Sequence, residues 1–166
     1  EIKHAQVQGL ADFPVFTRKA ASDVSFIAVA RKLLQMTDRI YPQFATHNAH
    51  SVAAVLEMAA DLPRTAYEFQ RLHGMGEALH DLVLTEAGTR CRIYAPVGAH
   101  RDLLAYLGRR LLENGANSSF VNQIVDTSVP ASTVAACPFD ALAKELAHGQ
   151  AVLKTGPDLF LPERRN

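Results

Sequence analysis

Two cysteines, Cys91 and Cys137, are all this sequence has for thiol chemistry, and they are too few and too far apart for a zinc knuckle or a disulfide framework. The expected setting is therefore reducing and cytoplasmic. Charge of one sign is also lacking: 17 Lys and Arg stand against 17 Asp and Glu, with no basic stripe, so no nucleic-acid partner is expected. No apolar run is long enough to span a bilayer, and the opening Glu1-Ile2-Lys3-His4 does not read as a signal peptide. No Gly-x-Gly-x-x-Gly follows the first β-like run, which weakens a dinucleotide-binding reading. No nucleophile-elbow motif occurs, and His73, His80 and His100 fall into no cluster with metal-ligand spacing. A metal-dependent or covalent mechanism thus has no visible carrier.

What is present is a globular composition, 48% apolar over 166 residues, enough to bury a core. Four similar units follow one another, each a short apolar or β-branched run, a turn and a helical pattern. The runs are Phe13–Thr17, Tyr41–Thr46, Tyr67–Leu72 and Cys91–Val97, and the helical patterns fall near 23–36, 48–61, 76–86 and 101–114. Ser22 or Asp23 can cap the first of these helices and Asn48 the second. Strands alternating with helices predict an α/β fold with a parallel sheet. The strand interiors hold few charges, as when both faces are covered. A repeat of this length suits half of a (β/α)8 barrel or an open doubly wound sheet. After Asn114 the pattern gives way to a Ser/Thr/Pro-spaced segment, a helix near 138–148 and a polar tail. Neither end reads as a natural start or stop, so a fragment of a longer chain is expected.

In parallel α/β folds the chemistry collects where strands end. Those places hold Thr17-Arg18-Lys19, Thr46-His47-Asn48, Leu72-His73-Gly74-Met75-Gly76 and Tyr94-Ala95-Pro96, residues that turns and caps favour on their own account. Cys91, opening an apolar run, is expected in the core. On the last helix, Tyr106, Arg109, Arg110 and Glu113 share one arc and Leu103, Leu104, Leu107 and Leu111 another, which should bury against the sheet. Adjacent arginines can clamp a carboxylate through charge-assisted bonds. A solvated face with an Arg109–Glu113 pair has the same spacing and is worth about a few tenths of a kcal/mol. Spacing leaves both open.

Longer strings are more specific. Phe16-Thr17-Arg18-Lys19 leading to Asp23-Val24-Ser25-Phe26, then Tyr41-Pro42-Gln43-Phe44-Ala45-Thr46-His47-Asn48-Ala49-His50, resemble the fifth and sixth strand regions of the flavin-dependent proline dehydrogenase barrel found in bacterial bifunctional proline-utilisation enzymes. Tyr67-Glu68-Phe69-Gln70 with Leu72-His73-Gly74-Met75-Gly76-Glu77, and Cys91-Arg92-Ile93-Tyr94-Ala95-Pro96-Val97-Gly98, resemble the seventh and eighth. The sharpest string is Arg109-Arg110-Leu111-Leu112-Glu113-Asn114-Gly115-Ala116-Asn117-Ser118-Ser119-Phe120-Val121-Asn122.

This resemblance implies that residues 1–128 form the last four βα units of a (β/α)8 barrel. Residues 129–166 would add a cap helix and the start of a linker to an aldehyde dehydrogenase domain. It implies an oxidoreductase that converts L-proline to Δ1-pyrroline-5-carboxylate by hydride transfer to FAD, in proline catabolism. Arg109 and Arg110 match the positions that bind the proline carboxylate, supported by Glu113, while Tyr94, Tyr106 and Leu72 match the ring site. Thr17, Thr46, His47 and Phe120 match flavin contacts. The full enzyme would pass electrons to a membrane quinone and associate peripherally with the membrane. The first four units are missing, so the chain alone is expected to be inactive. An inert complementation fragment, or a phosphate-binding barrel half using Arg109 and Arg110, are the alternatives.

Overall fold

The computed structural model describes residues 1–115, 128–149 and 153–164, without the side chains of 113–115. The chain divides into two compact units, one formed by Glu1–Phe26 with Cys137–Asn166 and the other by Ile27–Ala136.

In the first unit, helix α1 (Ile2–Val7) buries Ala5. The turn after it meets the C-terminal segment: Gly156 N donates to Leu10 O at 3.1 Å and Gln6 Nε2 to Lys154 O at 2.7 Å. A Cβ on Gly156 would stand 2.6 Å from Gly9 Cα, so only glycine permits this approach of two backbones. A helix over Pro138–Ala147, numbered α7 below, starts on a proline whose missing N–H costs nothing at that position. Its Glu145 pairs with Arg18 at 3.3 Å.

Phe13–Thr17 forms no strand, contrary to the sequence pattern. A strand exists only through ladder bonds to a neighbour. Pro14 has no N–H to give, and no backbone partner faces this run among the described residues. Helix α2 (Lys19–Leu34) then begins earlier than a Ser22 or Asp23 cap would set it. Asp23 lies inside the helix and pairs with Lys19 at 2.6 Å. Its buried residues Ala20, Ile27, Ala30 and Leu34 follow helical spacing, whereas Ala28 is exposed.

The second unit carries three parallel strands, β1 (Gln43–Ala45), β2 (Glu68–Leu72) and β3 (Cys91–Tyr94), in the order β1-β2-β3. The register pairs Gln43 with Glu68, Ala45 with Gln70, Gln70 with Arg92 and Leu72 with Tyr94. Helices α3 (Ala49–Met58) and α4 (Glu77–Ala87) connect them, giving the βαβ alternation that parallel pairing requires. Asn48 caps α3, its Oδ1 accepting from His50 N and Ser51 N. Phe44, Tyr67 and Phe69 stack edge-on or tilted at 6.0–6.4 Å on one sheet face. His80 of α4 lies against Phe69 at 5.9 Å, and Val52, Val55, Ala59 and Val83 complete this core.

Helix α5 (His100–Gly115) follows β3, and a short α6 (Ala131–Val134) precedes α7. The leucine arc of α5 does not bury as the pattern suggests: Leu104 and Leu111 are 66% and 72% exposed, Leu107 is exposed, and Leu103 is half-buried. The reason is positional. Among the described residues β3 is a sheet edge, and a crossover helix needs the next strand to pack across. Ile93, on the aromatic face of β3, is open for the same reason.

Candidate functional site

Side chains alternate across a strand, so Glu68, Gln70 and Leu72 share the face opposite Phe69 and Arg71. Register adds Gln43 from β1 and Arg92 and Tyr94 from β3. This face is polar at its lower rows, which departs from the charge-poor strands inferred above. Glu68 is 3% exposed and accepts from both Nε and Nη2 of Arg92, the latter at 3.0 Å. Gln43 Nε2 donates to it at 2.7 Å, the Tyr41 hydroxyl at 3.3 Å and Gln70 Nε2 at 3.5 Å. The Arg92 hydrogen bonds hold the Glu68 carboxyl below its ordinary range, against the burial that would raise it. A buried carboxylate is tolerable here because its oxygens are fully engaged. The signal was the alternation in Glu68-Phe69-Gln70-Arg71-Leu72, which reads as two faces, one of them polar.

At the C-terminal ends of the strands, Leu72 and Tyr94 lie level on adjacent strands and His73 N donates to Tyr94 O at 2.8 Å. Leu72 is buried and Tyr94 half-buried. Just beyond β1, Thr46 Oγ1 accepts from Asn48 N at 3.1 Å, shaping the turn into α3. The His47 ring crosses to the next strand, where its Nε2 accepts from Leu72 N at 3.2 Å. Arg71, buried on the other face, holds the β2–α4 loop through Met75 O and the Glu77 carboxylate. In that loop Gly76 sits at φ +64°, and a Cβ on it would stand 2.8 Å from the His47 ring. Cys91 is half-buried, and burial pushes its thiol up, with Arg71 acting the other way. It is a weak nucleophile.

The remaining candidates are spread out. On α5 the Arg110 guanidinium lies 5.4 Å from the centre of the Tyr106 ring, a cation–π contact, and both residues are half-buried. Arg109 is exposed, so the two arginines differ in setting. The Glu113 side chain and Phe120 lie outside the described residues. Thr17 belongs to the other unit, in a groove lined also by Phe13, Phe16, Arg18, Leu142 and Leu146. Among the described residues no group of His, Cys, Asp or Glu could hold a metal ion.

Known proteins supply the context for this geometry. The family model described as proline dehydrogenase matches residues 1–123. The bifunctional protein PutA of Escherichia coli is 55% identical over 150 residues, covering 87% of this chain but 11% of that protein. A proline dehydrogenase of Deinococcus radiodurans is 36% identical over 85 residues, half of this chain and 26% of its own. A crystal structure of Bradyrhizobium japonicum Proline Utilization A, a mutant form, superposes on all of this chain with a TM-score of 0.91 at 56% identity, using 17% of that chain. The chain thus spans a small part of the PutA relatives it matches. With the parallel βα units and the strand-end residues in place, the chain belongs to the proline dehydrogenase family.

Proposed function

We propose that this chain is the second half of a (β/α)8 barrel that oxidises L-proline to Δ1-pyrroline-5-carboxylate, with FAD as hydride acceptor. Residues 1–128 would be the barrel portion, and 129–166 a cap and the start of a linker to an aldehyde dehydrogenase domain. The observation that carries the reading is the gathering of Thr46, His47, Leu72 and Tyr94 at one end of a parallel sheet, in a chain of this family. On this reading Phe13–Thr17 becomes a strand when the preceding barrel strand lies beside it.

The donor set suits a flavin. Strand ends of this kind offer an apolar wall in the buried Leu72 and the half-buried Tyr94. Gly74, at φ +80° with open space where a Cβ would point, lets a planar ligand come near the backbone. Thr46 and His47, with Thr17 and Phe120 from other segments, would hold the cofactor. When bound, the flavin supplies a two-electron acceptor.

The protein's part is then to bind and orient. Arg109 and Arg110 pair with the proline carboxylate, and the Tyr106 face steadies the Arg110 guanidinium at 5.4 Å. Glu113 would support the pair. Leu72, Tyr94 and Tyr106 pack on the ring, exclude water and aim the reacting carbon. No residue need act as nucleophile. The electrons would pass to a membrane quinone, with the full enzyme associating peripherally with the membrane. No helix of the described residues is long and apolar enough to cross one.

The clamp is tested in the full-length protein. Arg110→Ala removes a charge-assisted pair and should weaken proline binding by about 1.5–3 kcal/mol. Tetrahydrofuran-2-carboxylate, which keeps the carboxylate, should weaken as an inhibitor in step. Unchanged binding of both would show that Arg110 does not hold the carboxylate.

A further inference from the structure

His80 is the most buried histidine among the described residues, at 2% exposure, and the proposed clamp and cofactor contacts give it no task. Its Nε2 lies 2.9 Å from Thr46 O. A carbonyl oxygen only accepts, so Nε2 carries the proton and donates. Its Nδ1 is buried and makes no hydrogen bond among the described residues, so the ring spends its one polar contact on that carbonyl. The ring also meets His47 edge-on at 6.4 Å and Phe69 at 5.9 Å. One turn earlier on α4, His80 N bonds to Gly76 O at 3.1 Å, and Gly76 leaves room for the His47 ring that any Cβ would fill.

These contacts form a chain of fixed points. From α4, His80 Nε2–H holds the carbonyl of Thr46 and so sets the peptide that leads into His47. The His47 Nε2 in turn accepts from Leu72 N, tying the end of β1 to the end of β2. We propose that His80 is a positioning residue that holds the Thr46–His47 turn in the conformation that receives the flavin, and through His47 aligns that turn with Leu72 on the substrate side. This rests on the flavin reading given above. A histidine that served packing alone would place no donor on a strand-end carbonyl, and an apolar ring of like size would replace it.

That contrast defines the experiment, made on the full-length protein. His80→Phe keeps the ring and removes the donor, whereas His80→Gln keeps an amide N–H where Nε2 stood. Dissociation constants for FAD are measured on the apoprotein by quenching of flavin fluorescence. Loss of one buried hydrogen bond predicts a rise of about tenfold for His80→Phe. His80→Gln should recover most of that loss, and kcat at saturating FAD should change little in either. Equal affinity in His80→Phe and wild type, or equal loss in both variants, overturns the assignment. Should His80→Phe fail to fold, isotope-labelled histidine spectra of the wild type decide. They should show the Nε2–H tautomer with a slowly exchanging proton, and the Nδ1–H tautomer overturns the assignment. Wild-type protein that binds no FAD at all overturns the functional reading itself, which distinguishes the two failures.

Discussion

Glu68 is the residue whose environment departs most from what its type prefers. It is a carboxylate on a strand, almost fully buried, held by two nitrogens of Arg92 and by Gln43, Tyr41 and Gln70. Its folded-state pKa lies below the unfolded value, chiefly through the Arg92 hydrogen bonds. The folded state therefore binds the proton less readily than the unfolded chain does. It follows that the pair's stabilisation is fully present above the unfolded carboxylate pKa, about 4.3, and is lost as pH falls through the folded value. Urea denaturation of wild type and Glu68→Gln at stepped pH should show a stability gap at pH 7 that narrows below about pH 4. A gap that widens on acidification would contradict the direction of the shift.

At the scale of elements, α4 is bounded by two left-handed glycines that do different work. Gly76 stands before it at φ +64° against the His47 ring, and Gly88 closes it at φ +63° with nothing within 4 Å of a would-be Cβ. Both substitutions to alanine incur the left-handed cost of about 1–2 kcal/mol. Only Gly76→Ala adds a collision, since its Cβ would meet the His47 ring at 2.8 Å. Gly76→Ala should therefore destabilise clearly more than Gly88→Ala in thermal or urea melts. It should also weaken FAD binding, which Gly88→Ala should leave alone. Equal effects would mean that the β2–α4 loop yields easily and that His47 is not packed as described.

For the whole molecule the governing feature is what the three-strand sheet leaves open. Among the described residues β1 and β3 are both edges, and most of the α5 leucines stand out in solvent. Exposed edges and apolar helix faces favour association with another chain or another part of the same chain. The PutA relatives are several times longer, and in the proposed barrel the first four βα units would cover β3 and the α5 leucines. Purified alone, residues 1–166 should show no stoichiometric flavin absorbance and no proline-dependent dye reduction. Half of a contact set gives less than half of an affinity, because the cost of immobilising the ligand does not halve. Mixing with a soluble fragment that carries the first four units should restore flavin binding. Stoichiometric flavin on this chain alone would make it a self-sufficient enzyme and end the half-site account.

Local chemistry made much of this legible in advance. Asn48 announces α3 because a side-chain oxygen at that position satisfies free N–H groups whatever surrounds it. Short β-branched runs between helical patterns announce parallel strands, since a crossover helix is the usual way to join them, and the strings from Phe16 to Asn122 announce the family. Tertiary structure decided the rest. Phe13–Thr17 has strand composition, yet a strand needs a neighbour, and none faces it among the described residues. The α5 leucines have core spacing, yet burial needs a surface to cover them. Glu68 and Arg92 lie 24 residues apart, and His80 is 34 from Thr46, so nothing local ties either pair. Periodicity reports what one segment can do by itself; ladder partners, buried ion pairs and a histidine on a distant carbonyl depend on which segments meet, and only the folded chain brings them together.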